Sequence, residues 1–145
     1  MTISFSAEAE APVSAERAWG VLADYSRDAE WRGQVVSMVP TPPGLARPGQ
    51  RTAEVMRFAG RTLHNDGEVV TASGGRFTWR TTSGVDAEGA REVVALGPDR
   101  CRIVLRTRVR PTGAERYYAP LARLVLRRGL RKDLRRFVTL CTDGA

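Results

Sequence analysis

The chain has little of what most catalytic and metal-binding motifs are built from. Its 145 residues include one histidine, His64, and two cysteines, Cys101 and Cys141. With no C-x-x-C pair and no second imidazole, a structural zinc site is excluded, and no metal or cofactor is expected. No serine or cysteine is spaced with His64 and Asp66 as a nucleophilic triad requires. Ser73-Gly74-Gly75 is a turn rather than a phosphate-cradling G-x-G-x-x-G loop. No apolar run approaches the roughly 20 residues of a membrane-spanning helix. The N-terminus, M-T-I-S-F-S-A-E-A-E, lacks a basic n-region and an apolar h-region, so no secretory signal is expected and a cytoplasmic location is the default. In that compartment the two cysteines, both in apolar patterns, are expected to be free and buried.

Hydrophobic residues make up 42% and charged residues 27%, ordinary for a globular protein, and residues 1–145 read as a single domain with a proper core. The net charge of +7 is unevenly placed. Residues 1–99 carry 10 arginines against 13 acids, a balance of −3. From Arg100 onward 12 arginines and the only lysine, Lys132, face Glu115, Asp133 and Asp143, a balance of +10. A GC-rich coding sequence accounts for the arginine bias by itself.

Periodicity gives the elements. Ile3 to Glu10 alternates apolar and polar, a half-buried strand that Pro12 stops. Ser14 caps a helix with Glu16 in its first turn, and Asp24 to Trp31 forms a second short helix or turn. Six strands follow: Val35–Val39, Arg51–Phe58, Arg61–Ala72, Arg76–Thr82, Glu88–Leu96 and Cys101–Arg110. Gly67 marks a bulge or a close backbone approach in the fourth strand. From Gly113 to Cys141, apolar residues recur at helical spacing among arginines, predicting one long amphipathic helix. Pro120 marks its first turn or a kink, and Gly129 is a weak point within it.

This order carries a resemblance. A-P-V-S-A-E-R-A-W-G-V-L-A-D-Y (Ala11 to Tyr25), the following Trp31, the hairpin ending R-F-T-W-R-T-T-S-G, and V-R-P-T-G leading into A-P-L-A-R-L-V-L-R-R-G-L-R-K-D-L together resemble the START-like (SRPBCC) superfamily. That superfamily includes polyketide cyclases, plant pathogenesis-related class 10 proteins, coenzyme Q-binding proteins and lipid-transfer domains. The resemblance spans essentially the whole chain and is nearest to polyketide cyclase/dehydrase-like members. It implies an α+β helix-grip fold: a seven-stranded curved antiparallel sheet wrapped around a long C-terminal helix, with two short helices between strands 1 and 2. It also implies a cavity between sheet and helix, used in the superfamily for enzymes, carriers and sensors alike.

Alternation assigns the inward faces. The third strand turns in Thr52, Glu54, Met56 and Phe58; the fourth Leu63, Asn65, Gly67 and Val69; the fifth Phe77, Trp79 and Thr81. For the sixth, the set Ala90, Glu92, Val94 and Leu96 is preferred over Gly89, Arg91, Val93 and Ala95, because its apolar side chains are larger. The seventh gives Ile103, Leu105, Thr107 and Val109. From the helix, Tyr117, Tyr118, Leu121, Leu124 and Val125 form wall and lid, while Leu130 to Cys141 seals the core. The expected ligand-binding set is therefore Met56, Phe58, Asn65, Phe77, Trp79, Thr81, Val94, Leu105, Thr107, Tyr117, Leu121, Leu124 and Val125. The competing reading is that these residues simply fill a core.

Candidates for proton transfer are Glu54, Glu92, Tyr118 and His64. A buried, unpartnered glutamate has a raised pKa suited to acid–base work, whereas inward glutamates on strands also commonly pair with arginine. Glu54 and Glu92 lie about three strands apart, roughly 14 Å on a flat sheet, too far to share a proton. His64 is placed on the convex face, where an exposed role is the simpler reading.

Two functions compete: binding of a hydrophobic aromatic, polyketide- or lipid-like molecule, and aldol cyclisation with dehydration of a polyketide chain by a cyclase/aromatase-like enzyme. Association of the basic face with nucleic acid or a membrane is the distant alternative. Nucleic acid is not expected, because aromatic residues do not interleave with the arginines. Membrane association is disfavoured because the helix's apolar stripe is needed by the sheet. The oligomeric state is left open, a homodimer included.

Overall fold

The computed structural model describes residues 2–111 and 119–143. Strands β1 (Ile3–Ala11), β2 (Val35–Thr41), β3 (Arg51–Phe58), β4 (Arg61–Ser73), β5 (Arg76–Thr81), β6 (Ala87–Gly97) and β7 (Arg100–Val109) form one antiparallel sheet in the order β1-β7-β6-β5-β4-β3-β2. The two edges, β1 and β2, are consecutive in sequence. They are joined by α1 (Ala15–Leu22), a 3-10 turn (Tyr25–Arg27) and α2 (Asp28–Trp31). Helix α3 (Ala119–Asp143) packs mainly along β1 and also touches α1 and α2. This is the helix-grip architecture.

Local chemistry explains the joints. Ser14 Oγ accepts the Arg17 N–H at 3.2 Å, capping α1. Ala59 and Gly60, both at positive φ, make the β3–β4 turn. The β4 bulge lies between Val69 and Thr71 rather than at Gly67. Gly67 instead marks a close approach: a Cβ there would stand 2.9 Å from Thr52 Oγ1 and 3.0 Å from the Arg80 carbonyl oxygen.

The core has two parts. Ala7, Ala11, Leu22, Ile103, Leu134, Phe137 and Cys141 join β1 and β7 to α1 and the second half of α3. Trp31 meets Phe137 edge to face at 5.1 Å, holding α2 on α3. Beside them, Val35, Met38 and Val69 surround Phe77, whose ring meets Trp19 at 5.9 Å and Tyr25 at 5.6 Å.

Two readings of orientation are corrected. On β6 the inward set is Gly89, Arg91 and Val93. Arg91 and Val93 are buried, and they pair across to the inward Leu105 and Ile103. Val94 is exposed and Glu92 lies on the outer face, 3.6 Å from Arg76. Apolar bulk misdirected the choice, because a buried cation occupies the inward face. On α3, Leu121 and Leu124 are exposed rather than turned inward, since the sheet covers the helix only from about Val125 on.

Candidate functional site

Between the concave sheet and the middle of α3 lies a cavity of about 340 Å³. Its apolar walls come from Met56, Phe58, Leu63, Trp79, Leu105 and Val109 on the sheet, and from Val125, Leu126 and Leu130 on α3. The Trp79 ring lies over Gly89, where a Cβ would come within 2.6 Å of it, so the glycine makes room for this wall.

One corner is polar. Arg32, which follows α2, donates from Nη1 to Glu54 at 2.7 Å and to Asp28 at 3.1 Å. Glu54 also accepts from Asn65 Nδ2 at 3.1 Å, and Asn65 Oδ1 accepts the Val85 N–H at 2.9 Å. Burial by itself would lower the Arg32 pKa, but the charges and hydrogen bonds of Glu54 and Asp28 outweigh it and raise it. Arg32 is therefore a fixed cation on the cavity wall.

Behind it, Arg91 donates to both oxygens of Asp28, at 3.0 and 2.7 Å, and to the Leu22 carbonyl at 3.0 Å. Its guanidinium lies 4.7 Å from the Tyr25 ring centroid and 5.0 Å from that of Trp31. Burial opposes the charge on Arg91, yet Asp28 raises its pKa overall. Tyr25 also borders the cavity, and burial pushes its phenol up.

Asp133 of α3 lies on the opposite side of this corner. Its carboxylate accepts the Gly33 N–H at 3.1 Å and an Arg136 hydrogen bond at 3.3 Å. Burial raises its pKa above the ordinary 3.8, against the Gly33 hydrogen bond and the nearby Arg32 and Arg136 charges. It is an acid inside a cavity wall, on a helix otherwise crowded with cations.

Of the residues singled out from the sequence, Met56, Phe58, Asn65, Trp79, Thr81, Leu105, Thr107 and Val125 line the cavity, as does Glu54. Phe77 is fully buried in the core behind it. Val94, Leu121 and Leu124 point to solvent, and Glu92 and His64 are on the outer face. Tyr117 and Tyr118 lie outside the described residues. Glu54 is partnered by Arg32 and Asn65, which removes the premise of an isolated buried carboxylate. Arg32, Arg91, Asp28 and Asp133 were not singled out. Signals for three were present: Asp28 and Arg32 stand at i, i+4, and Asp133 is the single acid among the helix's cations before Asp143. Among the described residues no cluster of side chains could hold a metal ion, and no helix is long and apolar enough to cross a membrane.

Comparison with known proteins agrees with this architecture. The model of the family "Polyketide cyclase / dehydrase and lipid transport" matches residues 2–142, and the chain belongs to that family. Among curated proteins none matches significantly. Solved structures share the fold at low identity. The ZhuI aromatase/cyclase of Streptomyces sp. R1128 aligns with a TM-score of 0.81 at 15% identity, covering 98% of this chain and 94% of that one. TTHA0849 of Thermus thermophilus gives 0.83 at 17% identity, covering 98% and 99%. Norcoclaurine synthase of Thalictrum flavum gives 0.64 at 15%, covering 100% and 89%.

Proposed function

We propose that the protein binds a hydrophobic aromatic, polyketide- or lipid-like molecule between the sheet and α3. The observation that carries this reading is the cavity itself: about 340 Å³, walled largely by aliphatic and aromatic side chains, with the Arg32–Glu54 pair at a polar corner. That volume lies at the small end of the roughly 300–1,000 Å³ typical of small-molecule sites. Arg32 uses one nitrogen for both carboxylates, which leaves other donors for a ligand oxygen. The preferred ligand is thus apolar over most of its length, with a carbonyl, phenol or carboxylate at one end. Native mass spectrometry after incubation with a hydroxylated anthraquinone tests this. Uptake of one molecule per chain is expected, and no uptake overturns the reading.

The second reading is catalysis of aldol cyclisation and dehydration, favoured by the position of Asp133 and by the family's cyclase/dehydrase members. A base in the cavity removes a proton from a methylene flanked by ketones. The resulting carbanion carbon attacks a second ketone carbon, forming the C–C bond, and the new alkoxide takes a proton. Loss of that hydroxyl together with an adjacent proton releases water. Asp133 is the cavity carboxyl placed to move protons, with Arg32 placed to stabilise the developing oxyanion. Holding the chain folded supplies most of the rate. Asp133→Asn should lower turnover of a poly-β-ketone substrate while leaving anthraquinone uptake intact; unchanged turnover removes Asp133 from the chemistry.

A further inference from the structure

The first turns of α3 carry apolar side chains that the sheet leaves uncovered. Leu121, Leu124 and Val125 are 61%, 52% and 48% exposed. At i, i+3 and i+4 they share one face of the helix. The same spacing carries that face on to Arg128, Arg131, Lys132 and Arg135, all exposed. None of these four takes part in an ion pair among the described residues. The core-facing side of the helix is separate, with Leu134, Phe137 and Cys141 buried. The helix therefore has two working faces, and the outer one is apolar at its start and cationic beyond.

Singly exposed aliphatic residues are ordinary, but three together, continued by four cations and no acid, form a surface with a defined complement. A second copy of the chain fits poorly, because a two-fold axis would set this cationic face against itself. Nucleic acid answers the cations only: the face has no aromatic for base stacking and its aliphatic end finds no partner on a phosphate backbone. An anionic bilayer answers both ends, taking the leucines into the acyl boundary and leaving the cations among the headgroups. Val125 belongs to this face and also to the cavity wall.

We propose that the outer face of α3 docks the protein on an anionic lipid surface, with Leu121 and Leu124 inserted and Arg128, Arg131, Lys132 and Arg135 on the headgroups. Docking brings the α3 wall of the cavity to the bilayer, where hydrophobic molecules are dissolved. The docking stands independently of what the cavity binds.

Flotation with vesicles of 70% phosphatidylcholine and 30% phosphatidylglycerol tests it, against pure phosphatidylcholine. Wild-type protein should float with the anionic vesicles at low salt, be released as salt rises, and ignore the neutral ones. Arg128→Gln/Arg131→Gln should weaken binding roughly thirty-fold, from about 1 kcal/mol per cation near the surface. Leu121→Ser/Leu124→Ser should weaken it at least about tenfold. Both variants should keep the wild-type circular dichroism and anthraquinone uptake, since none of the four residues reaches the core or the cavity. Failure of the wild type to float, or equal flotation of wild type and both variants, overturns the proposal. So does capture of the wild type by a soluble polyanion such as polyglutamate without vesicle binding. A dimer in solution that Leu121→Ser/Leu124→Ser dissociates also overturns it.

Discussion

Arg91 on β6 and Asp28 at the start of α2, 63 residues apart in sequence, form a two-pronged ion pair in the protein interior, at 3.0 and 2.7 Å. Asp28 also holds Arg32, which in turn holds Glu54. One buried pair thus ties the sheet to the helical layer and sets the cation at the polar corner of the cavity.

Removing one partner leaves a buried charge uncompensated. Arg91→Met and Asp28→Leu should each lose about 3–5 kcal/mol of stability. The double variant should recover a large part of that loss, because no orphaned charge is left between these positions. Urea denaturation of the four proteins measures the cycle, and additive losses would show that the pair acts otherwise.

Asp133 gives a pH dependence of defined sign. Its folded pKa is raised, so the unfolded chain gives up this proton more readily. The associated stability is complete below the ordinary value of 3.8 and is lost as pH rises through the folded value. Asp133→Asn keeps an oxygen for the Gly33 N–H and carries no charge. Relative to wild type, it should gain stability as pH rises from about 4 toward neutrality. Melting temperatures of both proteins across that range check this; a difference that does not change with pH contradicts it.

The cysteines should be inert while the protein is folded. Both are buried and free, and burial raises both thiols, Cys141 to about 11. Labelling with a disulfide reagent at pH 8 should be slow in buffer and fast in denaturant. Rapid labelling of the native protein would show that the second half of α3 opens from the sheet.

Gly129 has nothing within 4 Å of where a Cβ would stand. Gly129→Ala should stabilise the protein by about 1 kcal/mol through helix propensity alone. A loss of stability would mean that the position needs glycine for closer packing.

Strands β1, β3, β4, β5 and β7 were legible because each alternates over five or more residues; β3 begins and ends at the expected residues, Arg51 and Phe58. The inward faces of β3, β4 and β5 were legible for the same reason, and they supply much of the cavity wall. On β6 the pattern failed because the residue facing the core is Arg91, whose burial depends on an aspartate that no local spacing connects to it. Glu54 read correctly as inward, but its partner Arg32 lies 22 residues earlier, beyond any local rule. The exposed start of α3 was hidden by a pattern that looks alike whether an apolar stripe meets a sheet or extends past it.

The central claim, a ligand cavity between the sheet and α3, is tested most directly by filling it. Gly129 borders the cavity and has open space beside it, so Gly129→Phe should place a ring there without disturbing the core. Native mass spectrometry with a hydroxylated anthraquinone should show one molecule bound to the wild type and none to Gly129→Phe, with the two proteins equally folded by circular dichroism. Equal uptake by a folded Gly129→Phe would place binding elsewhere and contradict the account.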